Sequence, residues 1–360
     1  MGRKSNQSIL RSLLNQIENE EFKYEPKEKE KIDWYNYDHA QINEINDMLN
    51  TIRDCVDEVV NELNINEKYK NKVKERGRPP THPGDLTKVI LMQQYFLTSN
   101  RTTQGLVLLF KEKLKLHDDF SYKTIERAYE NPDVERILKQ LFKSVQEPIK
   151  NKENEFSIDG TGLPTSIKKN YESEKYSKGS QKKNKNMNGF EQAIIVVGAN
   201  YKMIGSFEIT NNPNAGESPY LESGLNEIAS VYNNIELFVG DSAFISRKNC
   251  SLVGNLNAIP RFYPKKSDTF KSKGSKEWSD MHYAFINDPQ QWLREYHKRS
   301  ISETVNSTFE RMFPNKLYKK LEIRRRCEAF CRACDYNIKQ LNYLTYLKSI
   351  KLNSLNKNSS

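Results

Sequence analysis

The sequence predicts an α/β layered domain, a mixed sheet flanked by helices, preceded by an all-helical region. Three observations carry this. Between Ile42 and Val145 apolar residues recur at three- and four-residue spacing, the period of helices packed on one face. From Phe156 onward, short runs rich in β-branched residues alternate with helical stretches. The 360 residues suffice for about two domains at ~100–200 residues each.

The first 35 residues are rich in Lys, Glu and Asn and only weakly periodic, and read as a flexible or loosely docked N-terminus. Ile42, Ile45, Met48, Leu49, Ile52, Val56, Val59, Val60 and Leu63 then form a stripe that predicts one long amphipathic helix. The basic segment Arg76-Gly-Arg-Pro-Pro80 ends the helical pattern, because its prolines lack the N–H and the backbone freedom a helix needs. Helices are expected over 86–97, 101–114, a short stretch opened by Ser121, and 134–145, which makes 36–150 a helical region. Residues 156–160 read as a strand, 193–199 as a buried strand and 203–210 as its hairpin partner. Helix is expected over 217–232 and 246–256, strand over 236–239 and 258–262, and helix again from Gln290 through to about Lys351. Residues 151–350 thus form the α/β domain, and 351–360 are expected to be a disordered tail.

Charge narrows the partners. A net charge of +10 favours a polyanion. No run of ~18 apolar residues is present, which argues against a membrane span. Residues 1–15 are polar and lack the apolar core of a signal peptide, so a cytoplasmic location is expected. The five cysteines, Cys55, Cys250, Cys327, Cys331 and Cys334, do not suggest a disulfide framework. Cys327, Cys331 and Cys334 share a helical face but have no fourth zinc ligand nearby, and are read as buried thiols. No phosphate-binding P-loop is present, so ATP use is not indicated.

Two aspartates follow predicted strands. Asp159 precedes Gly160-Thr-Gly162, and Asp241 lies in Val239-Gly-Asp-Ser-Ala-Phe244. Ligand sites of α/β sheets gather at the carboxyl ends of strands, so two such carboxylates can face one another and bind a hard cation through oxygen. An aspartate in this position also serves as a turn or capping residue. A third feature is Tyr296-x-x-Arg299-x-x-x-Glu303, whose spacing puts three polar side chains on one face of a helix. Ile301, Val305, Phe309 and Met312 form an apolar stripe that anchors the same helix.

Taken in order, Asp-Gly-Thr-Gly at 159–162, Gly-Asp-Ser-Ala-Phe at 240–244 and the Tyr296, Arg299, Glu303 triplet resemble the DDE transposases of prokaryotic insertion sequences. More narrowly, they resemble the group with a Tyr-x-x-Arg-x-x-x-Glu-x-x-x-x-x-x-Lys signature. Gly77-Arg-Pro-Pro80 and Ser121-Tyr-Lys-Thr-Ile-Glu-Arg127 resemble that group's helical DNA-binding region. The signature lysine falls at position 310, which is Glu310 here, with Arg311 beside it.

The resemblance implies a compact ribonuclease-H-like core in which Asp159, Asp241 and Glu303 hold two Mg²⁺ or Mn²⁺ ions ~3.5–4 Å apart. It implies cleavage of the element's ends and joining of the freed 3′-hydroxyl to target DNA, by a protein acting as a homodimer on double-stranded DNA. Arg299 is then a phosphate clamp, and Tyr296 contacts the backbone beside the cut. Residues 165–190 carry seven lysines, among them Lys168, Lys169, Lys182 and Lys183, against two glutamates, as expected of a phosphate grip. Lys123 and Arg127 can enter a groove. Arg324-Arg-Arg326 is a second basic cluster, and Trp278 or Trp292 can stack a flipped base if it is not simply core. The alternatives are a catalytically inactive DNA-binding remnant, which Glu310 favours, and a metal-dependent nuclease without strand transfer.

Overall fold

The computed structural model describes residues 5–26, 32–72, 80–165, 189–210 and 216–350. The Arg76 to Pro79 part of the breaker, the lysines of 168–185 and the tail 351–360 lie outside the described residues. The chain divides into two compact units, both discontinuous in sequence. One comprises residues 1–31, 150–161 and 192–308, the other 32–149, 162–191 and 309–360.

The N-terminal stretch, expected to be flexible or loosely docked, begins with a helix, α1 (Asn6–Glu18), capped by the Ser5 hydroxyl. Leu10, Leu13 and Leu14 lie on one face of it and are buried with Phe285, Trp292 and Leu293. That apolar stripe is short enough to be masked by the polar composition around it, and burial rather than propensity holds the helix.

The helical unit is built from α2 (Trp34–Glu62), α3 (Ile65–Lys72), α4 (Pro83–Tyr95), α5 (Asn100–Leu114), α6 (Tyr122–Ala128) and α7 (Pro132–Ser144). Ser99, Ser121 and Asn131 cap α5, α6 and α7 through their side-chain oxygens, which accept otherwise orphaned N–H groups. Helix α4 is buried nearly all round and forms the centre of this unit. Its Lys88 is buried too, and is satisfied by the Leu114 carbonyl at 3.0 Å and the Asp57 carboxylate at 2.6 Å.

The sheet contains β1 (Glu155–Pro164), β2 (Phe190–Gly198) and β3 (Ile204–Ile209), then α8 (Leu221–Ala229), β4 (Leu237–Gly240), α9 (Arg247–Gly254) and β5 (Ile259–Phe262). The strand order is β3-β2-β1-β4-β5. Strands β2 and β3 are antiparallel, whereas β4 lies parallel to both β1 and β5. Helices α8 and α9 connect β3 to β4 and β4 to β5. This is the expected layered α/β architecture, a mixed sheet with helices packed on it.

The C-terminal part departs from the expected continuous helix. It is divided into α10 (Lys276–Asn287), α11 (Pro289–Tyr296), a 3-10 turn over His297–Arg299, α12 (Ser300–Met312) and α13 (Glu322–Lys348). Asp288 caps α11 and Pro289 opens it, which separates it from α10. Pro314 cannot continue α12, and the chain runs irregularly until α13. Helix α13 packs against α2, α4 and α7 within the helical unit, so the C-terminal end of the expected α/β domain is built into the other unit. Inside α13 the buried Glu328 accepts from Arg332 and from the N–H groups of Tyr318 and Lys319.

Candidate active site

The parallel register of β1 and β4 ends with Ile158 opposite Gly240. Asp159 and Asp241 are the next residues on each chain, so they leave the pairing side by side, about one strand spacing of ~4.8 Å apart at the backbone. Strand β1 itself runs on to Pro164, beyond the strand expected over 156–160, so Gly162 too is a strand residue. What ends at Asp159 is its pairing with β4. Asp241 turns the chain: its Oδ1 accepts the Ala243 N–H at 2.7 Å, and the buried Phe244, which follows Ala243, anchors the turn, its carbonyl accepting from Asn249 at 2.7 Å.

Asp159 is largely withdrawn from water. Burial pushes its carboxyl up to about 6; the Gly160 N–H and Arg299 oppose this, and the negative charges of Glu217 and Asp241 add to it. Its Oδ1 accepts the Gly160 N–H at 3.0 Å, and its Oδ2 accepts Asn306 Nδ2 at 3.3 Å. Glu217 approaches from the other side of the strand. Its carboxylate occupies the space where a side chain at Gly160 would begin, with Oε1 2.5 Å from that point, and Oε1 also accepts from Gln192 at 3.1 Å. Successive strand residues face opposite ways, so Glu217 adds charge behind Asp159 rather than a ligand beside it.

Helix α12 is matched to β1 by period. Lys298, Ser302 and Asn306 step by four along the turn and helix, while Glu155, Ser157 and Asp159 step by two along the strand. Each pair meets: Lys298 with Glu155 as an ion pair, Ser302 with Ser157 at 3.1 Å, and Asn306 with Asp159. Four helical residues rise about 6 Å and two strand residues about 6.7 Å, so the two rows stay in step. Ser302 and Asn306 are buried polar residues on α12, and the sequence reading missed both; a polar i, i+4 pair next to the apolar stripe is the signal that marks them.

Tyr296, Arg299 and Glu303 do not lie on one helix. Tyr296 ends α11, Arg299 ends the 3-10 turn and Glu303 sits in the first turn of α12. Glu303 is one turn from Asn306, but its side chain is 52% exposed and its carboxylate forms a short ion pair with Arg299. Burial works against the charge of Arg299, yet Tyr296, Glu303 and Asp159 more than restore it. Burial pushes the Tyr296 phenol up to about 12, and its ring stacks on Trp292 with centroids 5.2 Å apart. The structure therefore brings Asp159 and Asp241 together and leaves Glu303 with Arg299. Among the described residues no three acids or metal-binding side chains stand close enough to hold an ion as a group.

The other anticipated contacts fall as follows. Lys123 and Arg127 are exposed on α6 and, with Tyr122, Asn100, Glu126 and Arg324, line a cavity of about 250 Å³. The basic cluster 324–326 is consumed internally: Arg324 pairs with Glu126 and Glu130, Arg325 with Glu191 and Arg326 with Glu322. Glu310 and Arg311 are exposed on the last turns of α12. Trp278 and Trp292 are both buried in the core. The Trp278 Nε1 donates to the Thr269 carbonyl at 2.7 Å and its ring carries the Arg247 guanidinium at 4.5 Å. Lys168, Lys169, Lys182 and Lys183 lie outside the described residues. No helix among the described residues is long and apolar enough to cross a membrane.

Comparison with known proteins agrees with these motifs. The model of a family described as "Transposase DDE domain" matches residues 150–349, more than half of the chain. A probable transposase for insertion sequence element ISA1214, from Archaeoglobus fulgidus, is 23% identical over 333 residues, which is 92% of this chain and 95% of that protein. A solved structure of the Mos1 transposase paired-end complex with left transposon end aligns over 67% of this chain and 81% of its own, at 12% identity and a TM-score of 0.22, too low a score to carry an argument.

Proposed function

The chain belongs to the transposase DDE domain family, and from that premise we propose that it cuts the ends of its insertion sequence and joins them to target DNA, with Asp159, Asp241 and Glu303 as the acidic centre. The observation that carries the reading is the pair of carboxylates leaving β1 and β4 side by side. The residues fit a hard divalent cation. Asp159 and Asp241 supply carboxylate oxygens, and the buried Oδ1 of Asn306, whose amide meets Asp159, has no hydrogen-bond partner among the described residues.

Two Mg²⁺ or Mn²⁺ ions bound there would polarise the scissile phosphate and activate the attacking oxygen. The chain's own groups account for the rest. In the first step a water oxygen bonds to phosphorus, the bond to the 3′ oxygen breaks, and a 3′-hydroxyl is freed. In the second step that hydroxyl attacks a target phosphodiester and releases a target 3′-hydroxyl. Arg299 is the group that must move: a DNA phosphate competes with Glu303 for its planar guanidinium and leaves Glu303 free to turn toward Asp159 and Asp241. The site is thereby completed by its substrate. Tyr296, a neutral phenol, sits next to Arg299 and can donate to the backbone. Lys123 and Arg127, with the lysines of 168–183, supply phosphate contacts, and the acting species is a homodimer on paired ends.

The test uses a duplex carrying the element's terminal repeats with Mg²⁺. Wild-type protein is expected to cleave it, and Asp159→Ala, Asp241→Ala and Glu303→Ala are each expected to abolish cleavage. Cleavage at the wild-type rate by any of them removes that residue from the site. A precleaved end is then offered with a target plasmid. Joining supports a transposase; cleavage without joining supports a nuclease; neither supports a DNA-binding remnant.

A further inference from the structure

Asp159 takes one hydrogen bond on each oxygen, and the two donors differ. The Gly160 N–H belongs to the strand and is fixed by it. The other donor is Asn306 Nδ2, brought from α12 by the matched periods of helix and strand. Asn306 is only 7% exposed, and the amide that donates to Asp159 leaves its own Oδ1 buried without a hydrogen-bond partner among the described residues. Leaving such an acceptor dry is costly, so a buried one next to a carboxylate calls for an explanation. The opposite orientation of the amide would put oxygen against oxygen at Asp159 and orphan the nitrogen instead.

We propose that Asn306 is a positioning residue of the carboxylate centre: its Nδ2 fixes the Asp159 carboxylate, and its Oδ1 receives a water of the divalent cation's hydration shell. This rests on the reading of Asp159 as a metal ligand. A hydrated divalent cation presents water O–H donors in several directions, and small hard cations such as Mg²⁺ keep several of their waters when bound. One of these donors satisfies Oδ1, while the carboxylate held by Nδ2 faces the ion. The neutral amide does both without adding a further negative charge to a site that already contains Asp159 and is influenced by Asp241 and Glu217. Partners of this kind typically change metal affinity by ~10–100-fold when removed.

The test is a titration of the full-length protein with Mn²⁺ alone, without DNA, followed by the electron paramagnetic resonance signal of free Mn²⁺. Asp159→Ala is expected to lose the binding, and Asn306→Ala to weaken it by roughly tenfold or more. A second measurement needs only folded wild-type protein: the assigned side-chain amide signals of Asn306 in ¹⁵N spectra are expected to shift on adding Mg²⁺, and not to shift in Asp159→Ala. Wild-type Mn²⁺ affinity in Asn306→Ala, or amide signals unmoved by Mg²⁺, overturns the role of Asn306 and leaves the centre standing where Asp159→Ala has lost binding. Wild-type Mn²⁺ binding in Asp159→Ala overturns both.

Discussion

The burial of Asp159 has a thermodynamic consequence that can be measured without DNA. Its carboxyl is raised from 3.8 to about 6, first by burial. A folded value above the unfolded one means the native state holds the proton more tightly, so ionisation destabilises the fold. The cost is absent below pH 4, grows as pH rises through the interval to about 6, and is fully present at pH 8. Two units correspond to ~3 kcal/mol at most, since each is about 1.36 kcal/mol. Asp159→Asn removes the charge and keeps the shape, but turns one amide against Asn306 Nδ2 and loses that hydrogen bond, worth about 1 kcal/mol. In EDTA at pH 8 the variant is therefore expected to be more stable than wild type by ~1–2 kcal/mol. At pH 4 the advantage disappears. Mg²⁺ reverses the order, because ligand at a hundred times its dissociation constant adds about 2.7 kcal/mol to the wild type alone. Urea unfolding followed by tryptophan fluorescence reads this directly, as Trp278 and Trp292 lie in the same unit as Asp159. A variant no more stable than wild type at pH 8 in EDTA, or an advantage equal at pH 4 and pH 8, refutes the reasoning.

Other expectations follow from single contacts. Gly160→Ala places a methyl 2.5 Å from the Glu217 carboxylate, the far end of a flexible side chain, and should destabilise by no more than about 1 kcal/mol in the same unfolding assay; a loss of ~3 kcal/mol means that Glu217 is held in place. Leu10→Ala opens a cavity under α1 against Phe285, Trp292 and Leu293, with an expected loss of ~2–5 kcal/mol; a loss under ~0.5 kcal/mol, within the range of ordinary surface changes, would show that α1 is not docked in solution. Arg299→Ala releases Glu303, so Mn²⁺ affinity of the free protein should rise while cleavage of terminal-repeat DNA falls. A fall in both would mean that Arg299 supports the centre rather than restraining it.

The strands were legible because their apolar runs are long relative to their turns, and the two aspartates because each follows such a run. The end of β1 was not: the strand expected over 156–160 runs on through Gly162 to Pro164, and its close neighbour at Gly160 is a side chain from elsewhere in the chain. Asn306 escaped notice for a related reason. Its importance comes from the coincidence of a four-residue helical step with a two-residue strand step, which exists only once α12 lies on β1. The stripe Leu10, Leu13, Leu14 in α1 was present in the sequence but diluted by Lys, Glu and Asn around it. The cluster 324–326 shows the opposite error, in which charges that look available to a polyanion are paired with Glu126, Glu130, Glu191 and Glu322. Residues that belong to the helical unit by packing, such as those of α13, could not be separated from the sheet by any local pattern.

The central claim is that Asp159, Asp241 and, once DNA is bound, Glu303 surround one metal centre. Iron(II) in place of Mg²⁺, with ascorbate and peroxide, generates hydroxyl radicals that cut the polypeptide next to the bound ion. In the free protein, cuts are expected around residues 159 and 241. Adding terminal-repeat DNA should add cuts around 303. Cuts absent from the neighbourhood of 159 and 241, or a pattern unchanged by Asp159→Ala, would contradict the account.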